Sequence, residues 1–385
     1  YSSTKVNLSN KDKWNNLLGK DLKGLKEMSA YSPKLRMTND NETPANFSNL
    51  NNINSNKFLT TGSLISGGSS NFWGAVTPKF NQGDLCCSNE IFNDYEKSYD
   101  IIAKRIGISG TNSKFDKMSE IHGKIKNLQE PLDISYNARY LLDNFNSKSM
   151  DTNFFLGKNR SAVITKHLND RLKCNYCESC MSMCRSGSIY NSLFELANLK
   201  AYKNFNFIKN SIVTRINKHK DIYEIIYKNL NSKDELSIYS KNIFLAAGTI
   251  TTTKFALSIL EKYDTKIDIE TTPMLSMGFI IPKNIFKNKK ESKFGLGQLA
   301  FAIKREQKKD LFGLLYEGTS FSQSDLSIRF PLTKKTNLMI CRYLSSSLLI
   351  GLAYLPGSYS NNKISIKNNN KISVHLTGGY KKEIY

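Results

Sequence analysis

Four cysteines, Cys174, Cys177, Cys180 and Cys184, form a C-x2-C-x2-C-x3-C run that places four thiols within eleven residues. Thiols this close can wrap one metal centre only from a short irregular loop, because helical or strand spacing would scatter them. Two-residue gaps let successive sulfurs turn inward while the intervening amides point at the centre and partly neutralise its charge. The spacing is of the ferredoxin type, so the expected occupant is an iron-sulfur cluster, 4Fe-4S or 3Fe-4S. Two features depart from that pattern: Arg185 stands where a proline usually follows the fourth cysteine, and the chain has no second run. Zinc is the main competing metal, although its four-thiolate sites usually come as two CxxC pairs with a longer spacer. A thiol loop that binds nothing is the remaining alternative.

With 385 residues, 39% of them hydrophobic, the chain can bury a large core and has the length of about two domains. Seven cysteines, with Cys86 and Cys87 adjacent and Cys341 alone, do not make a secreted disulfide framework, and a cytoplasmic setting is expected. The chain opens on Tyr1 with nothing resembling a signal peptide, and an upstream segment is expected to be missing. Its longest apolar stretch, Leu348 to Leu355, falls far short of the ~20 residues of a membrane span. The net charge of +22 would attract phosphate backbones or an acidic partner. However, the lysines are scattered among asparagines and serines, and the densest patches (Lys287, Lys289, Lys290; Lys304, Arg305, Lys308, Lys309) carry no interleaved aromatic platform. This distribution predicts a solvated surface rather than a nucleic-acid interface.

Residues 1–60 read as loop with a short helix around Trp14 to Leu25. Ile91 to Ile106 has the spacing of an amphipathic helix stopped by Gly107, and a further helix is expected over Ser192 to Tyr202. An α/β passage follows: a strand over Phe207 to Ile216, a hairpin over Asp221 to Lys228 and Glu235 to Tyr239, a fully buried strand over Ile243 to Ala247, and a helix over Thr251 to Leu260. Beyond Thr271 the chain reads as a separate sheet region, with strands over Leu326 to Phe330, Leu338 to Arg342, Lys363 to Lys367 and Lys371 to Leu376. The last two form a hairpin with Ile364, Ile366, Ile372 and Val374 as one apolar face.

Two more segments suit a ligand. In Gly67-Gly68-Ser69-Ser70-Asn71-Phe72-Trp73-Gly74, paired glycines allow positive φ and close backbone approach, Ser69, Ser70 and Asn71 offer polar groups, and Trp73 supplies an aromatic wall. That combination fits a cofactor-clasping loop, and a flexible Gly-Ser turn is the plain alternative. In Ile243 to Thr249, an apolar run ending in Ala247 and Gly248 before a helix places a tight turn where open α/β sheets bind nucleotides, although packing alone also explains it.

Three segments, GGSSNFWGA (Gly67 to Ala75), CNYCESCMSMCRSGSIYNS (Cys174 to Ser192) and IFLAAGTITTTKFAL (Ile243 to Leu257), resemble the glucose-methanol-choline oxidoreductases, in particular a bacterial branch with a cysteine-rich insertion. Weaker agreement runs from about Thr61 to Leu260. The resemblance implies an α/β (α+β) fold in which an incomplete Rossmann-like FAD-binding domain is assembled from separated segments and joined by a sheet-based substrate domain. It implies a partial FAD-binding domain over 1–115, the cysteine-rich insertion over 116–200, a return segment over 201–265 and a truncated substrate domain over 266–385. It also implies FAD held by Gly67, Gly68, Ser69, Ser70, Asn71, Trp73, Gly74, Ala247 and Gly248, with Val213 at the adenine end. The implied reaction is oxidation of a CH-OH group of an alcohol or sugar-like substrate with hydride passing to the flavin, and if the thiols hold a cluster, its one-electron relay favours export to an acceptor protein or quinone over direct reaction with oxygen.

The family's opening GxGxxG unit is missing. Gly295-x-Gly297-x-x-Ala300 follows the charged stretch Lys289 to Lys293 rather than a strand, so it is not read as a pyrophosphate loop. His375, with Gly378 and Gly379, invites comparison with the family's catalytic histidine. It falls on the polar face of a predicted strand, and the catalytic histidine is expected beyond Tyr385. A fragment lacking both ends would be inactive alone. His122, His167 and His219 read as surface residues. The rival classes are a zinc- or cluster-stabilised binding module without enzyme activity and a basic nucleic-acid-binding protein.

Overall fold

The structure is a computed structural model that describes residues 44–379 apart from 61, 81, 83, 86, 149–152, 178–179, 181–183, 286–293, 307–308, 319–330 and 370. The helix expected over Trp14 to Leu25 and the strand expected over Leu326 to Phe330 lie outside the described residues. In chain order the elements begin α1 (Pro44–Leu50), β1 (Ile53–Asn56), α2 (Asn89–Ile106), β2 (Ile108–Ser109), α3 (Met118–His122), β3 (Leu128–Gln129), α4 (Tyr136–Asn146) and β4 (Phe154–Lys158). Next come α5 (Leu193–Leu199), β5 (Ser211–His219), β6 (Ile222–Asn229), β7 (Glu235–Ser240), α6 (Thr249–Ile259), β8 (Ile267–Ile269) and β9 (Met274–Ile280). The last are β10 (Leu299–Ile303), β11 (Leu311–Glu317), α7 (Lys334–Leu344), β12 (Leu348–Tyr354), β13 (Asn362–Asn369) and β14 (Lys371–Thr377). The chain is thus a mixed α and β protein with several separate sheets and few helices. It divides into two units: the first holds Ser70–Asn191 and Met274–Pro356, the second the described parts of Thr38–Ser69, Ser192–Pro273 and Gly357–Tyr385.

The first unit is built on an antiparallel sheet of order β4-β10-β11-β12-β9. Strand alternation separates its faces. Leu299, Phe301, Leu156 and Leu315 pack with Ala138, Leu141 and Phe145 of α4, whereas Ala300, Ala302, Phe155 and Leu314 pack with Met118 and Ile121 around α3. Helix α2 starts two residues before the expected Ile91, capped by Ser88, whose side chain accepts from the Ile91 N–H, and it ends at Gly107 with φ 74°, as expected. A Cβ at Gly107 would press into Ile164 Cγ2.

Arg160 is fully buried beside α3. Its Nη1 donates to the His122 carbonyl at 2.8 Å, and its Nη2 donates to the carbonyls of Gly123 (2.8 Å) and Thr111 (3.4 Å) and to Asn112 Oδ1 (3.3 Å). His122, read from the sequence as a surface residue, is 2% exposed. The polar, lysine-containing sequence around it gave no sign that α3 turns this ring onto Phe312, 6.2 Å away between centroids. Burial, helped by the Arg160 charge, lowers its pKa to about 3. The unfolded chain therefore takes up a proton that the fold refuses. Stability is fully present above the unfolded value of 6.5 and is lost as pH falls toward 3, by about 1.4 kcal/mol per pH unit for this one group. Asp116, whose pKa is raised by burial, partly offsets this at the acid end. Urea unfolding of wild type and His122→Gln across pH 4–7 should give a flatter pH profile for the variant, and equal slopes would exclude His122 as the cause.

In the second unit, β1 lies parallel to β14 in a sheet of order β1-β14-β13-β8, whose other pairs are antiparallel. The face expected from alternation, Ile364, Ile366, Ile372 and Val374, is buried, together with Leu376, against Ile250 and Leu257 of α6. β5, β6 and β7 form an antiparallel meander that contains the expected hairpin, and α6 packs on β5. Strand β5 starts at Ser211 rather than Phe207, and α5 stops at Leu199.

Two strand expectations fail, and the loop expected over residues 1–60 carries α1 and β1 among its described residues. Leu338 to Arg342 lies inside helix α7, where Asn337 and Cys341 are buried four residues apart, a helical and not an alternating spacing. Ile243 to Ala247 forms no strand, and Phe244 is 95% exposed. A fully buried strand needs ladder partners on its edges, and among the described residues none pairs with this run. Among the described residues no helix is long and apolar enough to cross a membrane.

Candidate functional site

Residues 161–164, all buried, tie the glycine-rich loop and the thiol loop of the first unit to one stretch of backbone. The Ala162 N–H donates to the Ala75 carbonyl at 2.7 Å, and the Ile164 N–H donates to the Ser188 carbonyl at 3.0 Å. In return the Tyr190 N–H donates to the Ala162 carbonyl and the Cys174 N–H to the Ile164 carbonyl, each at 2.9 Å. Trp73 Nε1 donates to the Tyr190 carbonyl at 2.9 Å, with the two rings edge to face at 6.3 Å, and Asn191 Nδ2 donates to Asn71 Oδ1 at 2.6 Å. The result is one apolar cluster in which Trp73 and Ala75 share packing with Cys174, Cys180 and Cys184.

The described residues of the cysteine run, 174–177, 180 and 184, lie in no helix or named strand, in keeping with its spacing. Tyr176 takes a left-handed φ of 55° between Cys174 and Cys177, turning the chain there, and its hydroxyl accepts from the Asp133 N–H at 3.0 Å. Cys180 is buried, Cys174 and Cys184 are half-buried, and Cys177 is exposed. The described cysteines carry thiols rather than disulfides. Burial pushes the Cys180 thiol up to about 12, with the Gly295 N–H opposing and the thiols of Cys174, Cys184 and Cys177 adding to the rise. Cys180 thus feels the charge of each of the other three thiols. Cys174 is also raised, first by burial. Cys184 goes the other way: burial raises it, but hydrogen bonds from the Ser186 and Ser188 hydroxyls and from the Ile189 and Ser188 amides together bring it below the ordinary thiol value. Gly295, set aside in the sequence as no pyrophosphate loop, thus has its amide at the thiol pocket, flanked by the buried Phe294 and Leu296.

Among the described residues, no three His, Cys, Asp or Glu side chains converge on a point that would hold a single metal ion. The donor set nonetheless fits an iron-sulfur cluster in kind, with Cys174, Cys180 and Cys184 packed in one apolar cluster, Cys177 exposed on the same loop, and N–H and O–H groups directed at the Cys184 sulfur.

Arg171 holds the far side of this loop. It is buried, and its guanidinium donates from Nε to the Gly187 carbonyl (2.8 Å), from Nη2 to the Ser188 carbonyl (2.9 Å) and from Nη1 to the Ile106 carbonyl at the end of α2. The guanidinium also lies 5.6 Å from the Tyr190 ring centroid. A planar fork can serve three carbonyls at once, whereas a lysine ammonium on a flexible stem cannot reproduce that geometry. Arg171→Lys should therefore lower stability by about 1–3 kcal/mol, because the carbonyls the fork serves lose a donor. Urea midpoints of the variant against wild type measure it, and equal midpoints would rule out the clamp. Nothing in the sequence around Arg171 marked this role, since its partners lie 16, 17 and 65 positions away.

The remaining sequence-derived residues are distributed as follows. Ser70, Asn71, Trp73 and Gly74 belong to the first unit, and Gly67, Gly68 and Ser69 to the second. Gly67 and Gly68 have φ of 91° and 54°, and the space a Cβ would fill at Gly68 is open, which suits a backbone bearing on a bulky ligand. The Gly67 carbonyl accepts from Ser192 Oγ at 3.0 Å. Val213, Ala247 and Gly248 also lie in the second unit. Val213 is half-buried on β5 at a register shift, Ala247 donates its N–H to Thr252 Oγ1 at 3.1 Å, and Gly248 caps α6 with φ 79°. His375 sits half-exposed on β14, its Nε2 3.1 Å from Ser373 Oγ, on the face opposite Val374. No protein-family model matches the chain, and no curated protein matches it.

Proposed function

We propose that this protein is an FAD-dependent dehydrogenase acting on a CH-OH group of an alcohol or sugar-like substrate, of the glucose-methanol-choline type that its three motifs resemble. The observation that carries the reading is the shared packing of Trp73 and Ala75 with Cys174, Cys180 and Cys184 on the buried stretch 161–164. An aromatic, glycine-bearing loop joined to a four-thiol loop is what a flavin enzyme with a second redox centre requires. Ser70, Asn71, Trp73 and Gly74 of the first unit would bear on the flavin. The Rossmann-like character of the nucleotide domain is part of the same proposal.

When bound, FAD supplies a two-electron acceptor for hydride from the carbinol carbon. Trp73, its indole N–H held by the Tyr190 carbonyl, offers a fixed apolar wall. Cys174, Cys177, Cys180 and Cys184 would hold an iron-sulfur cluster, whose one-electron chemistry suits export to an acceptor protein or quinone rather than to oxygen. The full-length protein, assayed with a panel of alcohols and sugars, should turn over with an artificial electron acceptor and form little peroxide. Peroxide forming as fast as substrate disappears would overturn the dehydrogenase reading.

A further inference from the structure

Three hydrogen-bonding groups converge on one of the four sulfurs. The Ser188 hydroxyl lies 3.0 Å from Cys184 Sγ, the Ser186 hydroxyl 3.4 Å, and the Ile189 N–H donates to the same sulfur at 3.4 Å. The Ser186 hydroxyl also donates to Ser188 Oγ at 3.2 Å, which leaves the Ser188 proton directed at sulfur and strengthens that bond. Ser188 is itself fixed: it is 2% exposed, and its carbonyl accepts from both Arg171 Nη2 and the Ile164 N–H.

Resting on the cluster reading above, we infer that Ser188, supported by Ser186, sets the reduction potential of the centre held by Cys184. Once Cys184 is a thiolate ligand its sulfur can only accept, so the Ser188 hydroxyl must donate to it, while the one Ser186 proton is engaged with Ser188 Oγ. The reduced cluster carries one more negative charge than the oxidised one, so each donor on a ligand sulfur favours reduction and raises the potential. Ser188 is the main contributor because it is the nearest donor and the most rigidly held, and Ser186 acts chiefly through it.

The test is an EPR-monitored redox titration of anoxically purified full-length protein, with iron and acid-labile sulfide measured on each sample. Ser188→Ala should move the midpoint to a more negative potential at unchanged iron per chain, Ser186→Ala should move it less in the same direction, and Ser188→Thr, which keeps the hydroxyl, should restore it. Midpoints at the wild-type value in both alanine variants would overturn the inference. If Ser188→Ala fails to retain its cluster, the midpoint of Ser186→Ala decides in the same way. Absence of iron from the wild type would instead remove the cluster reading itself, and the inference with it.

Discussion

Serine in place of Cys180 is expected to strip the protein of iron, with a loss of at least about tenfold in iron and acid-labile sulfide per chain, since removing a ligand costs no less than removing its supporting shell. Cys180 is the most buried member of the run and receives the Gly295 amide. As a bare thiol it would stay protonated, pushed up to about 12, and would behave as a small apolar side chain that serine replaces at modest cost. As a cluster ligand it cannot be spared. Cys341 is the matched control, a buried thiol in helix α7 outside the run. Cys341→Ser should cost little stability and leave the iron untouched. If both variants keep wild-type iron, or both lose it, Cys180 has no ligand role that its burial alone does not explain.

Replacing Arg160 by methionine is expected to lower stability by about 1–3 kcal/mol, a sizeable share of what holds a domain together. Two effects oppose each other. Removing a buried guanidinium recovers its desolvation cost, which already depresses its pKa to about 10. Against that, the Gly123 carbonyl loses its Nη2 donor, at about 1–3 kcal/mol for an acceptor left bare, while the His122 and Thr111 carbonyls and Asn112 Oδ1 each lose one donor and keep another, the Lys79 N–H, the Ser119 hydroxyl and the Ile125 N–H. The second effect is the larger. Because Arg160 directly precedes the buried stretch 161–164, and its own carbonyl accepts from the Thr77 N–H at 3.0 Å, the same substitution should loosen the thiol loop and reduce metal retention. Urea midpoints for Arg160→Met and Arg160→Lys against wild type measure it. A shift equivalent to less than about 1 kcal/mol in the methionine variant would mean the carbonyls find other partners.

What could be read in advance follows the range of the signal. Helix α2 was legible because the amphipathic run and Gly107 are local, and the β13–β14 hairpin because Ile364, Ile366, Ile372 and Val374 alternate. The cysteine run announced an irregular loop through its own spacing. Apolar runs whose fate depends on neighbours were not legible. Ile243 to Ala247 looks like a buried strand, yet composition cannot say whether a partner lies at its edge, and Phe244 stands in solvent. Leu338 to Arg342 is short enough to satisfy either period. In the site, Ser186 and Ser188 stand two and four residues past Cys184 and could have been marked as sulfur hydrogen-bond donors. Arg171, Arg160 and His122 could not, because their partners come from distant segments.

The most direct test of the central claim is the cofactor content of the full-length protein purified without oxygen: flavin by absorbance and extraction, and iron, zinc and acid-labile sulfide by analysis, all per chain. The account predicts FAD together with iron and sulfide in comparable amounts. Zinc without flavin would contradict it and leave the four thiols as a structural pin in a binding module, and a protein carrying neither metal nor flavin would contradict it altogether.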